Sequence, residues 1–165
     1  MKKIFLLVAF FATTCTQQIF AQDSKSTQLT PLLTAYYGVK NALVNSNSAD
    51  AAINAGSFLK TVNSIDAKSL PSSEQAAFTG LQNKLAFDAR HMSESKDIAH
   101  QREHFANFSA NFFKLAKAVK LTSGSIYYDY CPMQKSYWLS AEVAIKNPYF
   151  GKQMLTCGKV AEELK

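Results

Sequence analysis

Between residues 98 and 119 the apolar side chains fall on a heptad, with Ile98, Phe105, Phe112 and Val119 at one position and Phe108 and Leu115 at the other. Such a narrow, aromatic seam buries itself only against neighbouring helices, so it commits the chain to bundle packing. The segments before it obey the same period. Leu29, Leu32, Leu33, Tyr36, Tyr37 and Leu43 recur at three- and four-residue steps, with Gly38 as an internal soft spot. Ala52, Ala55, Phe58, Leu59 and Val62 form a second stripe, and Ala76, Ala77, Leu81, Leu85 and Phe87 a third. Ser48 is placed to cap the second helix, and Ser72 with Gln75 to form a capping box for the third. The fourth helix is expected from about Lys96 to Lys120. Because every connection is short, the expected fold is mainly α, an up-down four-helix bundle.

The first 21 residues stand apart. Lys2 and Lys3 precede the unbroken apolar run Ile4–Ala12, and Ile19-Phe20-Ala21 supplies a small-residue exit. This is the pattern of a secretory signal peptide cleaved near Ala21, too short as a helix to cross a bilayer. Cys15 offers an alternative lipoprotein reading, although Thr14 before it fits a lipobox poorly. The expected organisation is residues 1–21 as signal peptide, 22–27 as a flexible N-terminus, 28–158 as the helical domain and 159–165 as a C-terminal tail. Localisation is accordingly periplasmic or secreted.

The chain of 165 residues has a formal charge of +6, and two of those charges are Lys2 and Lys3. The remaining charges mix both signs, as in Lys96-Asp97 and Arg102-Glu103, leaving no block suited to a phosphate backbone. Nucleic acid is therefore not an expected partner, and no later run reaches membrane-spanning length. If Cys15 leaves with the leader, Cys131 and Cys157 remain as an even pair in an oxidising compartment.

After Leu121 the composition changes. Ile126–Tyr130 is rich in strand-forming residues, and five of the seven tyrosines and the one tryptophan lie between 127 and 149. This aromatic, Cys- and Met-bearing segment is expected to hold a short strand or loop and a short helix. Asn147-Pro148 would start that helix and Gly158 end it, putting Met154 and Cys157 on one helical face. Cys131-Pro132-Met133 and Met154-Leu155-Thr156-Cys157 then offer up to four soft sulfur donors, a set that favours Cu(I). A Cys131–Cys157 disulfide is the alternative; it would close a loop worth about 3 kcal/mol in the chain-entropy view. Spacing alone leaves both open.

The histidines divide by position. Stepping back seven from Ile98 puts His91 on the core seam if the helix runs through, as a nitrogen donor or a hydrogen-bonded core residue. His100 and His104 have the i, i+4 spacing of a two-histidine metal site. Their Lys, Gln, Arg and Glu neighbours favour a solvated face instead. The metal-ligand candidates are Cys131, Met133, Met154, Cys157 and His91, with His104 and Met92 as secondary ones.

His91-Met-Ser-Glu-Ser-Lys-Asp97-Ile98, Gln101-Arg102-Glu-His-Phe105, Tyr130-Cys-Pro-Met133, Tyr137-Trp-Leu-Ser140 and Ile145–Gly158 occur in that order. Together they resemble the DUF3347 domain family of exported bacterial proteins, over roughly Leu32 to Gly158. The resemblance implies a compact helical domain outside the cytoplasm. It also implies kinship with domains of periplasmic heavy-metal and copper efflux adaptors, so the expected partners are a metal ion and a periplasmic efflux adaptor or other envelope protein.

The function expected from these readings is a periplasmic soft-metal-binding protein handling copper as Cu(I), as chaperone, buffer or efflux accessory. The alternative is a non-catalytic, disulfide-stabilised helical interaction module of the cell envelope. The chain has no phosphate-binding glycine loop, nucleophile elbow or His-Glu-x-x-His motif, and no enzymatic activity is expected.

Overall fold

A computed structural model describes residues 28–165. The expected signal peptide, its cleavage point, Cys15 and the 22–27 segment lie outside the described residues. Four helices come first: α1 (Thr30–Val44), α2 (Ser48–Ser64), α3 (Ser72–Glu94) and α4 (Ile98–Ala118). Three strands follow, β1 (Ile126–Cys131), β2 (Ser136–Ser140) and β3 (Lys159–Leu164). They form an antiparallel sheet in the order β2-β1-β3. The architecture is thus the expected four-helix bundle with a C-terminal strand-bearing segment. Among the described residues no helix is long and apolar enough to cross a membrane.

The heptad seam of α4 builds the core. Phe105, Phe108, Phe112 and Leu115 are all fully buried. Tyr36 of α1 stacks against Phe105, Phe108 and Phe112, with its ring 4.8 Å from that of Phe112. Its hydroxyl shares a 2.7 Å hydrogen bond with Ser109 of α4 and accepts the Leu139 backbone N–H at 3.0 Å. One buried phenol therefore joins α1, α4 and β2, satisfying polar groups that would be costly to bury alone. Gly38 permits close approach of α1 to α2, since a Cβ there would sit 2.7 Å from Asn54 Cγ.

Several local expectations need correction. Asn47, not Ser48, caps α2, its side chain accepting the Asp50 N–H. The Ser72–Gln75 capping box does not form; Pro71 occupies the cap position of α3 without a side-chain bond. In α3, Phe78 is fully buried whereas Phe87 is 57% exposed. In keeping with a fourth helix expected from about Lys96, the helix does not run through from His91 to Ile98, so the condition that put His91 on the seam is not met. α3 stops at Glu94, and Asp97 caps α4 by accepting the Ala99 N–H at 2.9 Å. The turn between them is fastened by buried Gln101, whose Nε2 lies 2.8–3.1 Å from the carbonyls of Ser48, Met92 and Ser95.

The C-terminal segment differs most. The expected short helix is a 3-10 turn, Gly151–Gln153, so Met154 and Cys157 do not share a helical face. Gly151 turns the chain at φ 56°, where an added Cβ would lie 2.9 Å from the Val44 carbonyl. Residues 159–165, expected as a tail, carry β3 and pair with β1. One face of the sheet packs on the bundle, with Tyr128 stacked 3.5 Å from Phe113 of α4. The other face carries Asp129, Cys131 and Trp138 and is covered by the 141–158 loop, where Tyr149 meets Trp138 edge-on. Both carboxylate oxygens of fully buried Asp129, and the indole nitrogen of Trp138 opposite it, have no hydrogen-bond partner.

Candidate metal centre

The tight turn between α3 and α4 decides the geometry of the histidines. His91 lies in the last turn of α3, while His100 and His104 lie one turn apart at the start of α4. Folding the two helices back on each other brings all three imidazoles together. One ring nitrogen from each fits a group in which all lie within 4.8 Å of one another. The rings of His91 and His104 stack at 4.4 Å, and those of His100 and His104 meet edge-on at 4.7 Å. All three are half-buried. Ligands on a tetrahedral zinc-class ion with metal–nitrogen bonds of about 2.0–2.1 Å stand roughly 3.3 Å apart.

A carboxylate stands behind the group. Asp88, one turn before His91 on α3, is buried and meets His104 Nδ1 at 3.0 Å. Burial pushes the Asp88 carboxyl above its ordinary value, while the hydrogen bond and charge of His104 and the charge of His91 pull it down. A carboxylate on Nδ1 fixes the His104 tautomer and leaves Nε2 as the free donor, the usual outer-shell device at metal-binding histidines. Phe87, one turn before His91, lays its ring 4.5 Å from the imidazole and screens one side. The arrangement therefore offers three nitrogen donors, a fixed tautomer and access from solvent.

His91 thus leaves the seam position expected for it, which Met92 takes instead as a fully buried side chain. The polar neighbours of His100 suggest a solvated face; the fold turns that face onto the end of α3. The break at Ser93-Glu94-Ser95, just before the expected start of the fourth helix, makes sequence neighbours into facing helices; what polarity alone did not signal is that it sets His100 beside His91. Among the described residues no cysteine or carboxylate joins the imidazole group as a further ligand.

The sulfur candidates gather elsewhere. Cys131 ends β1, fully buried, and Cys157 precedes β3, half-buried; both are free thiols. Asn147 bridges them, its Nδ2 donating to Cys131 Sγ at 3.1 Å and to the Cys157 carbonyl at 2.6 Å. The Gln134 N–H also points to Cys131 Sγ, at 3.4 Å. Burial, and then the adjacent Cys131 thiol, push the Cys157 thiol up, and the Met133 backbone N–H draws it down. The Met133 side chain is 64% exposed, and Met154 is half-buried outside any helix. The structure thus joins the two cysteines with each other and His91 with the other two histidines.

No curated protein and no solved structure matches this chain. A family described as a protein of unknown function, DUF3347, matches residues 32–124, which hold all but the first two residues of the four helices, and the three histidines, but neither Cys131 nor Cys157. That match covers more than half of the 165 residues, and the chain belongs to the DUF3347 family.

Proposed function

We propose that this protein binds a transition-metal ion of the copper–zinc class through His91, His100 and His104. The observation that carries the reading is the convergence of three imidazoles within 4.8 Å across one helical hairpin, with Asp88 fixing His104 from behind. Imidazole suits zinc and copper, whereas magnesium and calcium seek oxygen donors that this group lacks. Half-burial of the donors leaves a coordination position open to water or to a second protein, which favours an exchangeable ion over a structural one. The leader-like N-terminus and the resemblance to efflux-adaptor domains extend the proposal to a non-enzymatic carrier, buffer or efflux accessory outside the cytoplasm. Copper is the preferred cargo in that setting.

The test is a titration of Zn(II) and Cu(II) into a Cys131→Ser/Cys157→Ser background, followed by competition with a chromophoric chelator and by imidazole NMR resonances. One equivalent should bind and shift all three histidines together. A His91→Asn/His100→Asn/His104→Asn variant that keeps the same stoichiometry and affinity would overturn the reading.

A further inference from the structure

The two free thiols form a second cluster of donors, on different elements and of different chemistry from the imidazoles. Cys131 and Cys157 are separated in sequence by the β1–β2 turn, β2 and most of the 141–158 loop, yet one Asn147 amide donates both to Cys131 Sγ and to the Cys157 carbonyl. We infer that Cys131 and Cys157 form a two-thiolate site for a soft monovalent cation, of which Cu(I) and Ag(I) are the members, independent of the histidine group.

Three observations carry the inference. The first is donor type, because the pair presents two sulfurs with no imidazole or carboxylate in the same group. Thiolates select Cu(I) among first-row ions, and two of them complete the low coordination number such a d10 ion accepts. A zinc ion would seek four ligands. With metal–sulfur bonds of about 2.3 Å, two sulfurs on one ion stand at most roughly 4.6 Å apart, and the shared Asn147 amide already holds Cys131 Sγ and the Cys157 backbone within its reach.

The second is the arrangement of backbone and amide hydrogens. Asn147 Nδ2 donates to Cys131 Sγ at 3.1 Å, and the Gln134 N–H lies 3.4 Å from the same sulfur. Such donors hold a ligand sulfur in orientation, as outer-shell partners do at metal sites. Asn147 is itself immobilised. It is fully buried, its Oδ1 accepts the Tyr149 N–H at 2.8 Å and the Phe150 N–H at 3.3 Å, and its own N–H donates to the Leu155 carbonyl at 2.8 Å. The amide that orients the sulfurs is thus fixed before any ion arrives.

The third is access. Cys131 closes the inner end of the site and half-buried Cys157 its outer end, so an ion meets Cys157 first and is then passed to Cys131. Binding forms two metal–sulfur bonds and releases the thiol protons to solvent, with no change in the oxidation state of sulfur or metal.

The experiment uses purified protein, reduced and kept anaerobic, titrated with Cu(I) against a chromophoric Cu(I) chelator and, separately, with Ag(I). One equivalent should bind and block alkylation of both thiols. The histidine triple variant should retain that equivalent, which separates this inference from the imidazole reading. Cys157→Ser, a change at the half-exposed position that leaves the buried Cys131 in place, should weaken binding by more than the roughly 100-fold seen on losing an outer-shell partner. Cu(I) affinity within a few-fold of wild type in Cys157→Ser, or alkylation of both thiols undiminished by one equivalent of metal, would overturn it.

Discussion

Asp129 sits fully buried on the central strand with neither oxygen hydrogen-bonded, and its nearest cationic influence is Lys40 of α1, itself almost fully buried. Desolvation lifts its carboxyl from 3.8 to about 7, although the Lys40 charge acts the other way. The unfolded chain gives up this proton near the ordinary value, so between about pH 4 and pH 7 the native state holds more protons than the unfolded state. Stability must therefore fall as pH rises through that window. A difference of this size corresponds to about 4 kcal/mol at full ionisation, as an upper bound. Asp129→Asn removes the titration while keeping the shape. Urea denaturation of both proteins at intervals from pH 5 to pH 8 should show the wild type losing a few kcal/mol relative to the variant. The variant should be the more stable at pH 8, and the gap should narrow toward pH 5. Parallel stability curves, or a gap widening toward acid pH, would refute the assignment of an uncompensated buried carboxyl.

Other outcomes follow from particular contacts. Asp88→Asn should lower the affinity of the histidine group for Zn(II) by about 10- to 100-fold without changing stoichiometry, as read by chelator competition. Tyr36→Phe should cost about 1–3 kcal/mol in urea denaturation, because the buried Ser109 hydroxyl and Leu139 N–H both lose their partner. Gly151→Ala should cost at least about 1–2 kcal/mol for the left-handed backbone alone, with the close Val44 carbonyl adding to it, and thermal melting will report the loss.

The helical half was legible because its signal is periodic. The α4 seam named Phe105, Phe108, Phe112 and Leu115 as core, and all are fully buried. Periodicity placed the start of the fourth helix near Lys96, but it could not decide whether His91 stays on the seam of that helix, because Ser93-Glu94-Ser95 is tolerated by a helix and by a turn alike. That one ambiguity moved His91 from the core seam to the imidazole group and hid His100. The C-terminal half resisted for another reason. β3 reads as polar and charged because Lys159, Glu162 and Glu163 make up half of it, so its strand character comes from pairing with β1 rather than from its own residues. Asn147-Pro148 carries genuine helix-start chemistry, and Asn147 does accept the N–H groups of Tyr149 and Phe150. The turn stops there because Gly151 takes positive φ and sends the chain back over the sheet.

The order of strands in the sheet, β2-β1-β3, has a consequence for timing. The central strand keeps one side bare until β3, the last strand in chain order, pairs with it. The histidine group needs only the neighbouring helices α3 and α4, whose contacts are local in sequence and quick to form. The cysteine pair needs β1 and the loop that leads into β3, a closure that spans most of the C-terminal segment. During folding, nitrogen donors thus come together before sulfur donors do, and a chain stopped short of β3 would assemble the first set while leaving the second unframed.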